Sequence, residues 1–306
     1  MRALWHTGDM PRLSVLIPAR NASGTIVAAL RSTLRALPGD AEVLVLDDAS
    51  SDGTGELVGG LGDPRIRLIT AGDNLGVARG LQQLLGEARG EVVARMDADD
   101  VCLPGRFRAQ LAALDEGADL VFSTFQVIGA GLRLPALPVP FGPEAGRLAL
   151  LLDCPYPHST ALARRETLLG VGGYRESVAE DYDLWLRAAT AGGRIVRLGR
   201  PGILLRVSAT QVTADPAYRR RLAEDPLVAG AYRDLARELW GVTETPWLTE
   251  LSFLRQGALT RQGKGLLEPF IHRFVASLAG LGGLERWYLG RRALQELGLR
   301  AGRAGR

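Results

Sequence analysis

The chain has 306 residues, of which 46% are hydrophobic and 23% charged, and a formal net charge of +3. That length and apolar content support at least one substantial core and exclude a chain disordered throughout. The positive balance, with a sequence pI of about 9.1, is spread along the chain as arginines rather than gathered in one block, so no nucleic-acid partner is expected. Cys102 and Cys154 stand far apart with no CxxC or Cys/His spacing. They are expected as free thiols in a reducing compartment and offer no zinc site. The opening MRALWHTGDMPRL lacks the apolar stretch and small-residue cleavage site of a signal peptide, and even FVASLAGLGGL at 274–284 falls short of a bilayer span. The expectation is a cytoplasmic protein with no integral membrane segment.

From residue 13 the chain alternates short apolar runs with amphipathic ones. LSVLI at 13–17, VLVL at 43–46, IRLI at 66–69, VVARM at 92–96 and DLVF at 119–122 read as strands, apolar at nearly every position as suits strands buried on both faces. Between the first two, Ile26, Ala29, Leu30, Leu34 and Leu37 follow helical spacing. The pattern is βαβ, hence an α/β fold with a parallel sheet. Ser23 is a candidate cap for the first helix, and Asp52-Gly53-Thr54 opens the next. Residues 129–143 are dense in Gly and Pro and read as a loop or linker. A mixed region follows to about residue 210, then a mostly helical one over 215–300, and the tail AGRAGR is expected to be disordered. No internal repeat is found.

Ligands of an open parallel sheet collect beyond the carboxyl ends of its strands, so the residues that follow each apolar run are the ones to inspect. The second run ends in Asp47-Asp48 and the fourth in Met96-Asp97-Ala98-Asp99-Asp100. Three carboxylates in four positions repel and raise one another's pKa unless a cation neutralises them. Mg²⁺ or Mn²⁺ suits such oxygens and keeps open positions for substrate phosphates, with Asp99 the first choice of ligand. A solvated acidic turn or a helix cap is the alternative for an isolated DxDD. A second acidic group, Glu180-Asp181-Tyr182-Asp183, precedes Leu184, Trp185 and Ala188 at one-turn spacing, so these acids occupy the first turn of a helix. A carboxylate there suits a general base, and equally a well-capped helix start.

Taken in order, SVLIPARN at 14–21, VLVLDDASSDGT at 43–54, DNLGVARG at 73–80, ARGEVVARMDADD at 88–100, PHSTALARRE at 157–166, and GGYRE with AEDYDLWLR resemble the family-2 glycosyltransferases. The resemblance runs from residue 13 to about 210. It implies a GT-A, Rossmann-like nucleotide-diphospho-sugar transferase fold with a mostly parallel mixed sheet. Its catalytic domain would span 11–210, with a nucleotide half over 11–100 and an acceptor half over 101–210, followed by a helical region over 211–306. Carried over by position, it implies that Pro18, Ala19 and Arg20 contact the nucleoside and that Asp48 meets the base. It further implies that Asp97, Ala98 and Asp99 form the D-x-D turn, with Asp99 and Asp97 on the metal, Arg95 beside them and His158 near the donor diphosphate. Asp181 matches the general base, and Glu180 a residue that positions base or acceptor. The activity implied is metal-dependent, inverting sugar transfer from a nucleotide donor, UDP being the family's usual carrier, to a glycan or lipid-linked acceptor in cell-surface polysaccharide, lipopolysaccharide or glycolipid synthesis. A catalytically silent nucleotide-binding scaffold of the same fold is the alternative.

The sequence departs from the family pattern at Gln82, where relatives often have Asn. It also departs over 204–213, where Arg206 still offers a charge for the diphosphate. The QxxRW motif of processive synthases is absent. Over 215–300, Leu284, Trp287, Tyr288 and Leu294 stand beside Arg286, Arg291 and Arg292. Helices packed on the catalytic domain would account for this stripe, as would a peripheral contact with the inner face of the plasma membrane or a homodimer interface.

Overall fold

The computed structural model describes residues 10–128, 139–207, 218–254 and 261–296. In chain order the elements begin with β1 (Leu13–Ala19), α1 (Ile26–Ala36), β2 (Ala41–Asp47), α2 (Thr54–Gly59), β3 (Ile66–Thr70), α3 (Val77–Glu87), β4 (Val92–Arg95), β5 (Val101–Cys102), α4 (Arg106–Asp115) and β6 (Leu120–Ile128). They continue with α5 (Pro143–Leu150), a 3₁₀ turn at His158–Thr160, β7 (Leu162–Arg164), α6 (Arg165–Gly170), α7 (Glu180–Thr190) and β8 (Ile195–Arg206). Among the described residues five helices follow: α8 (Tyr218–Glu224), α9 (Pro226–Trp240), α10 (Trp247–Leu254), α11 (Arg261–Leu278) and α12 (Gly283–Glu296). The chain forms two compact units, the first from the described residues of Met1–Pro138, Tyr156–Glu176 and Gly193–Ser208, the second from those of Val139–Pro155, Ser177–Gly192 and Ala209–Arg306. Helices α5 and α7 therefore group with the C-terminal helices.

The first unit is built on one sheet of the described strands in the order β3-β2-β1-β4-β7-β6-β8-β5. β1 pairs in parallel with β2 and β4, and β2 with β3, while β7 runs antiparallel to β4 and β6, and β5 antiparallel to β8. This is the mixed, mostly parallel arrangement expected. Every residue of β2 and β4 is buried, as continuous apolar runs require when helices cover both faces of a sheet. Helix α3 packs closely because Gly80 has no side chain: a Cβ there would lie 2.8 Å from Leu46 Cδ2. Ser23 does not cap α1. The cap position falls to Thr25, which makes no side-chain cap bond, and the Ser23 N–H instead donates to Asp52 Oδ2 at 2.9 Å. Cys102 and Cys154 are free thiols. No helix among the described residues is long and apolar enough to cross a membrane. The tail at 301–306 and most of the expected 129–143 loop lie outside the described residues.

In the second unit, α7 buries Tyr182, Asp183, Leu184, Trp185 and Leu186. The Tyr182 hydroxyl donates to Leu150 O at the end of α5, and Tyr232 of α9 donates to Leu151 O at 2.8 Å. Buried Asp183 pairs with Arg187 one turn on, at 2.7 Å. Asp225 ties the start of α9 to the segment that leads into α7. One oxygen accepts from the Leu227 and Val228 N–H groups as the N-cap, and the other from the Val178 N–H at 2.7 Å and the Ser177 hydroxyl at 3.0 Å. Burial alone would raise its pKa, but these four bonds outweigh burial and hold the carboxyl below its ordinary value.

Asp225→Ala should therefore cost about 2 kcal/mol, more than an ordinary cap, because four donors lose their acceptor. Since the folded-state pKa is depressed, the stability that Asp225 confers is present above the unfolded pKa of about 4 and fades as the pH falls through the lower folded value. Melting temperatures of wild type and variant should accordingly be well separated at pH 7 and converge on acidification. A gap unchanged down to pH 3 would contradict this role.

Candidate active site

The carboxyl ends of β2, β1 and β4 lie side by side, Ala19 opposite Asp47 and Leu16 opposite Arg95. Pro18 and Ala19 close β1, and Arg20 follows, exposed. Two non-glycine residues adopt left-handed backbone at the two adjoining turns, Asn21 at φ +48° and Ala49 at φ +53°. Such conformations persist where surrounding bonds over-determine them. Here the Asn21 side chain accepts from the Ser51 N–H at 3.0 Å, the Asn21 N–H donates to Ser50 Oγ, and the Ala22 N–H donates to Thr54 Oγ1 at 2.8 Å. The two turns are thereby stitched into one rigid rim. Asp48, buried, accepts the Leu75 N–H at 2.6 Å and the Gly76 N–H at 3.1 Å, one on each oxygen, and so draws the loop before α3 onto that rim.

The acidic turn follows β4. Carboxylate oxygens of Asp97, Asp99 and Asp100 all lie within 4.8 Å of one another. Arg95 forms an ion pair with Asp97. Asp100 is buried, its Oδ1 accepts the Arg206 N–H at 2.8 Å, and Arg206 Nε donates to Asp99 O at 3.0 Å. Arg206 thus clamps the turn to the end of β8. Burial first, and then the charge of Asp97, push Asp99 up from its ordinary pKa and Asp100 up to about 6. Protein cations leave this cluster under-neutralised, and its all-oxygen donor set fits a hard divalent ion. Asp97 and Asp99 are the accessible pair, since Asp100 faces inward.

His158 opens the 3₁₀ turn that abuts β4, where the Arg95 N–H donates to Ala161 O at 3.0 Å. Its Nε2 lies 3.0 Å from the Tyr174 hydroxyl. The Tyr174 N–H in turn donates to Gln82 Oε1 at 2.8 Å. A Cβ on Gly173, at φ +67°, would lie 2.2 Å from that same Oε1, so glycine is required. Gln82 therefore serves as a support for the GGYRE turn.

In the second unit, Glu180 and Asp181 occupy the first turn of α7, partly exposed, where the amino end of the helix favours a carboxylate. The Tyr182 N–H donates to Asp181 Oδ1 at 2.7 Å. Burial, then the negative charge of Asp181, with Cys154, Glu180 and Asp153 adding to it, raises the Tyr218 pKa far above the ordinary phenol value. Tyr218, at the start of α8, thus sits as a neutral phenol among the acids of α7.

The carboxyl edge of the sheet thus carries a turn of three clustered carboxylates, and residues 14–169 match the family model described as Glycosyl transferase family 2. The chain belongs to the family-2 glycosyltransferases. It is 30% identical over 302 residues to the succinoglycan biosynthesis protein ExoO of Rhizobium meliloti, covering 87% of this chain and 84% of that one. It is 29% identical over 175 residues to the UDP-Glc:alpha-D-GlcNAc-diphosphoundecaprenol beta-1,3-glucosyltransferase WfgD of Escherichia coli, covering 57% and 68%. Among solved structures, residues 1–349 of TarS from S. aureus in complex with UDP share the fold with a TM-score of 0.61 at 20% identity, covering 94% of this chain and 89% of that one. The fold of this glycosyltransferase is accordingly GT-A.

One support of the acidic turn was not foreseen from the sequence. Arg106, fully buried on α4, donates to Gln110 Oε1, to Arg95 O at 2.9 Å and to Ala161 O at 3.4 Å, and also contacts the Met96 sulfur. Gln110 Nε2 reaches Val121 O and Thr160 O. Together they hold the strand beneath the acidic turn to the turn that carries His158. Gly202 makes room, since a Cβ there would approach Arg106 Cγ to 3.1 Å and Ser123 Oγ to 2.1 Å. The available signal was an Arg and a Gln at i, i+4 beside the apolar stripe Phe107, Leu111 and Leu114.

Arg106→Met keeps the volume but strips donors from two buried carbonyls and from Gln110, so it should cost about 2–4 kcal/mol in denaturant unfolding. Arg108→Met, on the exposed side of the same helix, should change stability by less than about 0.5 kcal/mol. Equal midpoint shifts for the two variants would remove Arg106 as a clamp.

Proposed function

We propose that this glycosyltransferase moves a sugar from a UDP-sugar to a hydroxyl of a lipid-linked glycan in bacterial cell-surface polysaccharide synthesis, with inversion at the anomeric carbon and with Mn²⁺ or Mg²⁺ as cofactor. The observation that carries the reading is the under-neutralised cluster Asp97, Asp99 and Asp100 at the carboxyl end of β4, next to the rim formed by Arg20, Asn21 and Asp48. The relatives supply the chemistry: WfgD takes UDP-Glc and a diphosphoundecaprenol-linked sugar, and ExoO serves succinoglycan biosynthesis.

In this reading Pro18, Ala19 and Arg20 line the nucleoside, and Asp48, already held by Leu75 and Gly76, presents a remaining lone pair to the base. Asp99 with Asp97 would hold the cation, with Ala98 between them and Arg95 fixing Asp97. When bound, the cation neutralises charge on the departing diphosphate. His158, oriented by Tyr174, donates toward the same phosphates. Asp181 takes the proton of the acceptor hydroxyl as that oxygen bonds to the anomeric carbon, while the bond from that carbon to the phosphate oxygen breaks and UDP leaves. Glu180 orients the acceptor. A single displacement of this kind inverts configuration and needs no covalent sugar–enzyme intermediate.

Asp181→Asn should lower UDP release from UDP-glucose, with a diphosphoundecaprenol-linked GlcNAc acceptor, by about 10²–10⁴-fold, while UDP affinity stays within about twofold of wild type. Asp99→Ala should lower turnover and UDP affinity together, with the affinity no longer raised by Mn²⁺. Full turnover in Asp181→Asn would eliminate Asp181 as the base, and an intact Mn²⁺ effect in Asp99→Ala would eliminate the metal assignment.

A further inference from the structure

The last described helix is anchored on one side and bare on the other. Leu289 and Ala293 of α12 are buried, Tyr288 packs edge-on against Phe141, Glu285 accepts the Gly142 N–H at 2.7 Å, and Arg292 pairs with Asp153 at 3.1 Å. These contacts fix the helix in its own unit. Leu284, Trp287, Arg291 and Leu294 follow the spacing i, i+3, i+7 and i+10 and so share one face. That face is open: Leu284 is 55% exposed, Trp287 49% and Leu294 40%. The Arg291 guanidinium lies over the Trp287 ring, 5.5 Å from its centroid. A folded monomer gains nothing from displaying a Trp and two Leu in one stripe, which marks a surface for a partner.

Charge selects the partner. Within α12, Arg286, Arg291 and Arg292 stand against Glu285 and Glu296, a net +1, and Glu285 is turned to the Gly142 N–H on the anchored side. Arg286 donates to the carbonyls of Ala279 and Leu281, so its charge meets no carboxylate in those bonds, and Arg291 meets the Trp287 ring. In a two-fold contact between copies Arg291 of each face would be brought toward its counterpart and repel it. A surface that accepts Trp and Leu at the depth of lipid headgroups and also presents negative charge satisfies both halves of the stripe. We propose that the Leu284–Trp287–Arg291–Leu294 face of α12 docks the enzyme on an anionic lipid bilayer. The other side of the helix leads back to chemistry within the same unit, because Arg292 pairs with Asp153, and Asp153 joins Asp181 among the charges that act on Tyr218. Docking at α12 would thus bring the α7 acids close to a lipid-borne acceptor. The surface proposal stands on α12 alone and survives failure of the donor assignment.

The test is cosedimentation of the full chain with phosphatidylcholine vesicles, with and without phosphatidylglycerol. Wild type should bind the phosphatidylglycerol vesicles and be released by high salt. The double variant Leu284→Ser/Trp287→Ser and the single variant Arg291→Glu should each partition at least about tenfold less, with melting temperatures near wild type because all three positions are exposed. Absence of binding by wild type, or binding by either variant equal to that of wild type, overturns the proposal. So does a concentration-dependent dimer in lipid-free solution that Leu284→Ser/Trp287→Ser abolishes, since the stripe would then belong to a second copy.

Discussion

Three carboxylates held within a few ångströms repel one another, and the first unit is organised around keeping them there. Asp97, Asp99 and Asp100 cannot relax apart because the backbone that carries them is fixed from three directions. Arg106 grips the Arg95 carbonyl from below, the Arg206 N–H and guanidinium grip Asp100 and the Asp99 carbonyl from β8, and the pairing of β4 with β1 sets its register. Burial first, and then the charge of Asp97, raise the Asp99 and Asp100 carboxyls in that arrangement. Such an arrangement suits the divalent cation of the proposed function, so the acidic turn, more than the sheet, is what argues for it.

The same economy of supports extends outward. Asp48 is held by two backbone donors, and the turns after β1 and β2 are bonded to each other through Asn21, Ser50, Ser51 and Thr54. A site assembled in this way loses little entropy on binding, because its groups are already ordered. In the second unit Asp225 plays the corresponding part for α7, since one carboxylate caps α9 and also fixes the residues that lead into the turn carrying Glu180 and Asp181.

Legibility in the sequence followed burial. β1, β2, β4 and β6 are visible as apolar runs because both faces of the sheet are covered or nearly so, β3 shows as the run IRLI although it is a partly exposed edge strand, and the acids after β2 and β4 are visible because nothing apolar explains them. β5 and β7 span two and three residues, too short for any periodicity to register, and β8 carries Pro201 and Gly202 at a break in its pairing with β6. Ser23 was misread as a cap because a side-chain rule was applied where a backbone bond to Asp52 decides the conformation. Arg106 was passed over because an arginine in an amphipathic helix normally faces water, and only the carbonyls brought near it by β4 and the 158–161 turn show otherwise. Tyr218 became meaningful only when the fold set it beside Asp181.

The account rests on a nucleoside diphosphate bound with a divalent ion at the end of β4. The most direct test is the melting temperature of the protein with UDP, GDP or dTDP, each in the presence of Mn²⁺ and of EDTA, because a ligand that binds only the native state raises it by mass action. UDP should give a rise that Mn²⁺ enhances and EDTA removes. No rise with any nucleotide, or a rise indifferent to the metal, would contradict it.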